Sequence, residues 1–173
     1  MKLKKWMYAG GILASVLLMA CGKDDDELNS ADRDFITKTS ISNTAEVGAA
    51  TIAINKASNP VVKAYAQHMI EQHRMAQTDL KTLGTSVGFI VKDTLDPAHV
   101  AIETQLNTFT GRQFDSAYIY TQIVDHHMTS ASFQLEQTSG QHRDVKKYAN
   151  TYRPHIEMHL SRADSIAGAY FRR

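Results

Sequence analysis

Four ionisable residues, Glu46, His73, His126 and His159, each fall on the apolar side of a helical periodicity. A neutral imidazole or carboxyl buried among Ala, Ile and Met needs a partner, so four converging on one level can share a metal ion or close a polar network. Three imidazoles and a carboxylate suit zinc, iron, copper or manganese and do not select among them. Neighbours at i±3, i±4, i±7 and i±11 define each face. Around His73 they include Val62, Ala66, Met69, Ile70, Ala76 and Leu80, and around His126 they include Ile119, Gln122, Ile123, Thr129 and Phe133. His159 has Tyr148, Tyr152, Ile156, Ala163 and Ile166, whereas Glu46 has Phe35, Ala49, Ala53 and Ala57. His127 shares its face with Ser116, Gln134 and Thr138 and reads as solvated.

Long helices must carry these residues. Ser58-Asn59-Pro60 and Asp96-Pro97 each pair a cap residue with proline at the first helical position. Thr110 and Gln113 have the spacing of a capping box, and Gly84, Gly140 and Gly168 stand where helices should end. The expected helices cover Asp32 to Ala57, Pro60 to Leu83, Gln113 to Thr138 and Asp144 to Ala167. A short extra helix, Pro97 to Phe109, lies in the connection between the second and third. Short turns make each pair an antiparallel hairpin, so the expected fold is an all-α, antiparallel four-helix bundle.

Heights along the helices support convergence. Counting from the turns, Glu46 and His73 differ by only ~3 Å at 1.5 Å per residue, and His126 and His159 by ~4.5 Å. His155 matches His126 in height even better and competes with His159. Tyr118, Tyr148 and Tyr152 either fill core volume or hydrogen-bond the site from outside. The run His155-Ile156-Glu157-Met158-His159 is not a zincin motif, because its Glu lies about 200° round the helix from the first His. Met69, Met75, Met128 and Met158 are irregularly spaced and read as filler.

The first 20 residues read as a lipoprotein signal peptide. Lys2, Lys4 and Lys5 precede the apolar stretch Gly10 to Ala20, which is too short to span a bilayer and ends at Leu18-Met19-Ala20-Cys21. That ending resembles a lipobox, which makes Cys21 the lipidated mature N-terminus. Residues 21–31 then form an acidic tether containing Asp24-Asp25-Asp26-Glu27, and 32–173 form the bundle domain. The start Cys-Gly-Lys-Asp-Asp also looks like the export signal of surface lipoproteins of Bacteroidetes-type bacteria. Removal of the leader leaves 16 basic and 18 acidic residues, scattered without a basic stripe, which argues against nucleic acid as a partner. With Cys21 lipidated, no thiol remains for a disulfide or a Cys-ligated metal site.

The chain resembles domain-of-unknown-function family 4142, described as envelope or outer-membrane proteins with a ferritin-like bundle. The resemblance rests on Asp34-Phe35, on Glu46 followed by Gly48-Ala49-Ala50, and on Val62 to Ala66 with Met69-Ile70-Glu71-Gln72-His73. It continues in Phe114-Asp115-Ser116-Ala117-Tyr118 with His126 eight residues on, and in Pro154 with His159-Leu160. It implies the fold and an envelope location, and no settled activity. Ferritin-like di-iron proteins place a carboxylate three residues before a histidine. Ile70, Ile123 and Ile156 occupy those positions here, which favours a mononuclear site or a plain polar network.

The sequence thus leads to a lipid-anchored envelope protein that binds one transition-metal ion in a sequestering or stress-protecting role. The rival reading is an interaction module for an envelope protein partner, with the same residues forming a structural hydrogen-bond network. A metal-dependent oxidase or hydrolase would need a base near the ion, for which Asp115 and Gln122 are the inward-facing candidates.

Overall fold

The protein is described by a computed structural model over residues 26–172. The expected leader, Cys21 and the start of the tether lie outside the described residues. Five helices follow one another: α1 (Ser30–Lys56), α2 (Pro60–Ser86), α3 (Pro97–Thr108), α4 (Gly111–Ser139) and α5 (Arg143–Tyr170). No helix among the described residues is long and apolar enough to cross a membrane.

Local chemistry explains most boundaries. The α1 helix starts two residues ahead of expectation because Asn29 and Asp32 form a reciprocal capping box. Asn29 Oδ1 accepts from the Asp32 amide at 2.8 Å, and Asp32 Oδ2 accepts from the Asn29 amide at 2.7 Å. Asn59 caps α2 through the Val61 amide ahead of Pro60, and Asp96 caps α3 through the His99 amide. The capping box expected at Thr110 does not form. The chain enters α4 through Gly111 at φ +55°, and Thr110 makes no side-chain bond to the first amides.

Gly84 does not end α2, which runs on to Ser86. The chain folds straight back over it, with the Phe89 amide donating to the Gly84 carbonyl at 2.8 Å. A Cβ at Gly84 would lie 2.6 Å from Val91 Cγ2 and 2.7 Å from the Phe89 carbonyl oxygen, so the glycine serves a close approach rather than a stop. Gly168 likewise lies inside α5, which also continues through Pro154.

The hairpins α1–α2 and α4–α5 make the most extensive contacts, and α1 packs on α4 while α2 packs on α5. The long helices thus form a closed cycle, with α2 and α4 facing each other across its diagonal. The connection after α2 reaches α4 by passing along α1, where Ser40 Oγ donates to the Lys92 carbonyl at 2.8 Å, and by laying α3 on α1 and α4.

The core divides into two apolar clusters. One contains Ala50, Ala53, Tyr65, Met69, Phe114, Tyr118, Ala163 and Ile166. The other contains Phe35, Ile36, Leu80, Phe133, Val145, Tyr148, Tyr152 and Ile156. On each long helix, one polar level separates them: Asn43 and Glu46 on α1, His73 on α2, His126 on α4 and His159 on α5. At the α4–α5 end, buried Asp32 accepts from the Gln141 and His142 amides at 2.9 and 3.2 Å. Burial and the charge of nearby Asp32 push the buried Glu136 carboxyl up to about 8.

Candidate metal centre

The three histidines come together. His73, His126 and His159 come from α2, α4 and α5, and one ring nitrogen of each lies within 4.8 Å of the other two. Their ring centroids form a nearly equilateral triangle, 5.3 Å for His73–His159, 5.4 Å for His126–His159 and 5.7 Å for His73–His126. All three are almost wholly buried. Helical periodicity accounts for the inward orientation, because each histidine continues the stripe that buries its apolar neighbours.

Outer hydrogen bonds set which nitrogen is free. Asn43 Oδ1 lies 2.9 Å from His73 Nδ1, and since a carbonyl oxygen only accepts, Nδ1 carries the proton and Nε2 does not. The backbone carbonyl of Gln122 does the same for His126 Nδ1 at 2.9 Å. His73 Nε2, His126 Nε2 and both nitrogens of His159 have no hydrogen-bond partner in the protein. Burial and the neighbouring imidazoles hold the His73 ring well below its ordinary value. Burial lowers His126 to about 4, and burial with the adjacent His126, His68 and His155 lowers His159 to about 3. All three rings are therefore neutral at pH 7, the form that coordinates metals.

Glu46 is buried in the same seam, with Oε1 3.6 Å from His126 Nδ1. It approaches His126 from the protonated side of the ring, not from the side of the free nitrogen. Burial, together with the charge of Asp125, raises its carboxyl to about 8 against a hydrogen bond from the Gln122 amide. Around it, Glu46 Oε2, Gln122 Oε1 and the Tyr118 hydroxyl lack hydrogen-bond partners in the protein.

Other candidates fall elsewhere. His155 is half-buried, lies against Tyr152 with ring centroids 5.7 Å apart, and is not one of the close-set buried histidines. His127 is exposed. Asp115 is occupied as a cap, accepting from the Ser58 amide and hydroxyl and from the Asn59 amide at 3.0, 2.5 and 3.0 Å. It holds the α1–α2 turn onto α4. Tyr148 donates to the Ala76 carbonyl at 3.0 Å and Tyr152 to Asp79 at 2.5 Å, and both pack with Phe35 and Phe133 in the second apolar cluster.

Two contributors were not singled out from the sequence. Asn43 stands three residues before Glu46, so its inward position was open to the same periodicity argument. His68 is half-exposed on α2, yet its ring stands edge-on to His159 with centroids 5.4 Å apart. A position five residues before His73 lies about 140° round the helix, and only the packing of α2 on α5 brings it to the triad.

Comparison with known proteins bears on fold and family. The crystal structure of a DUF305 fragment from Deinococcus radiodurans superposes with a TM-score of 0.74 at 12% identity, covering 83% of this chain and 99% of that one. At that identity the likeness speaks for the helical fold alone. No curated protein matches the sequence. The model of a domain of unknown function, DUF4142, matches residues 20–166, and by that match the chain belongs to the DUF4142 family.

Proposed function

We propose that this is a lipid-anchored bacterial envelope protein whose ferritin-like four-helix bundle binds a single first-row transition-metal ion through His73, His126 and His159. One observation carries the reading: three imidazoles from three helices leave their free nitrogens buried, mutually close and without hydrogen-bond partners. Each such orphan costs about 1–3 kcal/mol unless something satisfies it. A structural network would have paired these nitrogens with one another or with nearby donors, whereas here the hydrogen bonds lie on the far side of the rings.

The fit to an ion is close. Tetrahedral ligation at about 2.1 Å places nitrogens roughly 3.4 Å apart, which small side-chain adjustments from 4.8 Å reach. Three protein ligands leave a fourth position for water or another ligand. Glu46 and Asn43 act from outside, the carboxyl group on the Nδ1 side of His126 and the amide on that of His73. Asp115 is bound as a cap and the Gln122 carboxamide is not basic, which supports a reading of binding and sequestration.

The envelope part of the proposal rests on the basic leader, the lipobox-like ending at Cys21 and the acidic tether. Metal content and isothermal titration of the detergent-solubilised full-length protein with Zn(II) or Co(II) test the site. One ion per chain is expected, lost in His73→Ala and His159→Ala. Wild-type protein that binds neither ion would sink the reading.

A further inference from the structure

The imidazole cluster does not stop at the buried triad. His68 stands as far from His159, 5.4 Å between centroids, as the three buried rings stand from one another. It is half-exposed, whereas the other three are buried. His159, the ring it faces, has neither of its nitrogens engaged by a hydrogen bond. A continuous line of imidazoles therefore runs from solvent to the middle of the bundle along the α2–α5 seam.

We propose that His68 is the port ligand of the site: it takes a hydrated divalent transition-metal ion at the surface and hands it to the buried histidines. The inference rests on reading the triad as a metal site. The step is ligand exchange alone. Water leaves the ion as each ring nitrogen bonds to it, the His68–metal bond breaks once the triad is engaged, and no electron changes hands. A dehydrated ion in an apolar seam would be costly to move without such a relay, because a charge there must be coordinated throughout. On the opposite edge, where α1 packs on α4, a cleft lined by Lys38, Ser42, His99, Asp125 and Thr129 offers a competing route.

Stopped-flow mixing of the detergent-solubilised full-length protein with Co(II), followed by its visible absorption, separates these possibilities. His68→Ala should bind one Co(II) with the wild-type spectrum, while loading and chelator-driven release both slow by about tenfold or more. His68→Glu, which restores a metal-binding group, should recover most of the rate. Because His68 is half-exposed, both variants should keep the wild-type circular dichroism spectrum. Wild-type rates in His68→Ala would overturn the proposal, as would slowing in Asp125→Asn alone. A lost or altered Co(II) spectrum in His68→Ala would also overturn it, by making His68 a resident ligand. If wild-type protein binds no Co(II), the triad reading itself fails, a result distinct from any of these.

Discussion

Asn43 on α1 accepts a hydrogen bond from Nδ1 of His73 on α2, and in doing so decides which nitrogen His73 turns to the middle of the bundle. Asn43 is itself oriented, since its amide donates to Gln77 Oε1 at 3.2 Å while Gln77 donates to Ser40 and to Asp93 at 2.7 and 2.6 Å. Asn43→Ala should therefore weaken Zn(II) binding by roughly 10- to 100-fold without changing the stoichiometry of one ion per chain. Isothermal titration of wild type and variant checks it. Unchanged affinity would show that the His73 tautomer needs no outside support.

Asp115 is expected to matter for stability and not for ion binding. Its carboxylate holds three donors of the α1–α2 turn, so Asp115→Ala should lower unfolding free energy by about 2–4 kcal/mol. Urea denaturation measures the loss, and the folded fraction should still take up Co(II) with the wild-type spectrum. A variant that stayed stable and lost the ion would return Asp115 to the site.

Stability should peak at mildly acidic pH, with separable causes on each side. His126 and His159 titrate at about 4 and 3 in the folded chain against an ordinary 6.5, so the stability they contribute is present above 6.5 and lost as pH falls through the folded values. Glu46 and Glu136 titrate at about 8 against 4.5, so their contribution is present below 4.5 and lost as pH rises through 8. Together these limbs place the maximum between the ordinary carboxyl and imidazole values, at roughly pH 5–6, in metal-free protein. Glu136→Gln should flatten the alkaline limb and exceed wild type above pH 8 by about 1–3 kcal/mol. Melting curves from pH 4 to 9 decide the point.

Gly84→Ala should cost about 1–3 kcal/mol, because the new methyl would press on Val91 and on the Phe89 backbone, and backbone cannot step aside cheaply. Gly168→Ala is the control: nothing stands within 4 Å of its Cβ position, and alanine favours the helix. Thermal melts of the two should move in opposite directions.

The sequence made the all-α class legible because Asn59-Pro60 and Asp96-Pro97 announce helix starts through local bonds that do form. It misled at Thr110 and Gly84, where backbone geometry and a returning segment decide what the residue does. The site was legible to the extent that helical periodicity reports which side chains face inward, and His73, His126 and His159 follow that rule. Height counting could not separate His155 from His159, since both lie near the right level; the difference is in angular position, which leaves His155 half-exposed. His68 escaped notice because its place beside His159 depends on how α2 and α5 pack, a relation between segments far apart in the chain.

The distribution of the triad over α2, α4 and α5 has a mechanical consequence. An ion held by His73, His126 and His159 would tie off two stretches of chain, roughly 50 and 30 residues long, as a pair of covalent staples would. It would also fasten the two hairpins together at mid-height, between the two apolar clusters, adding to the hydrogen bonds that Asp115 and Asp32 make between the hairpins. Peeling one hairpin from the other would then require breaking coordination bonds, so the time the ion stays bound would set how long the assembled bundle survives.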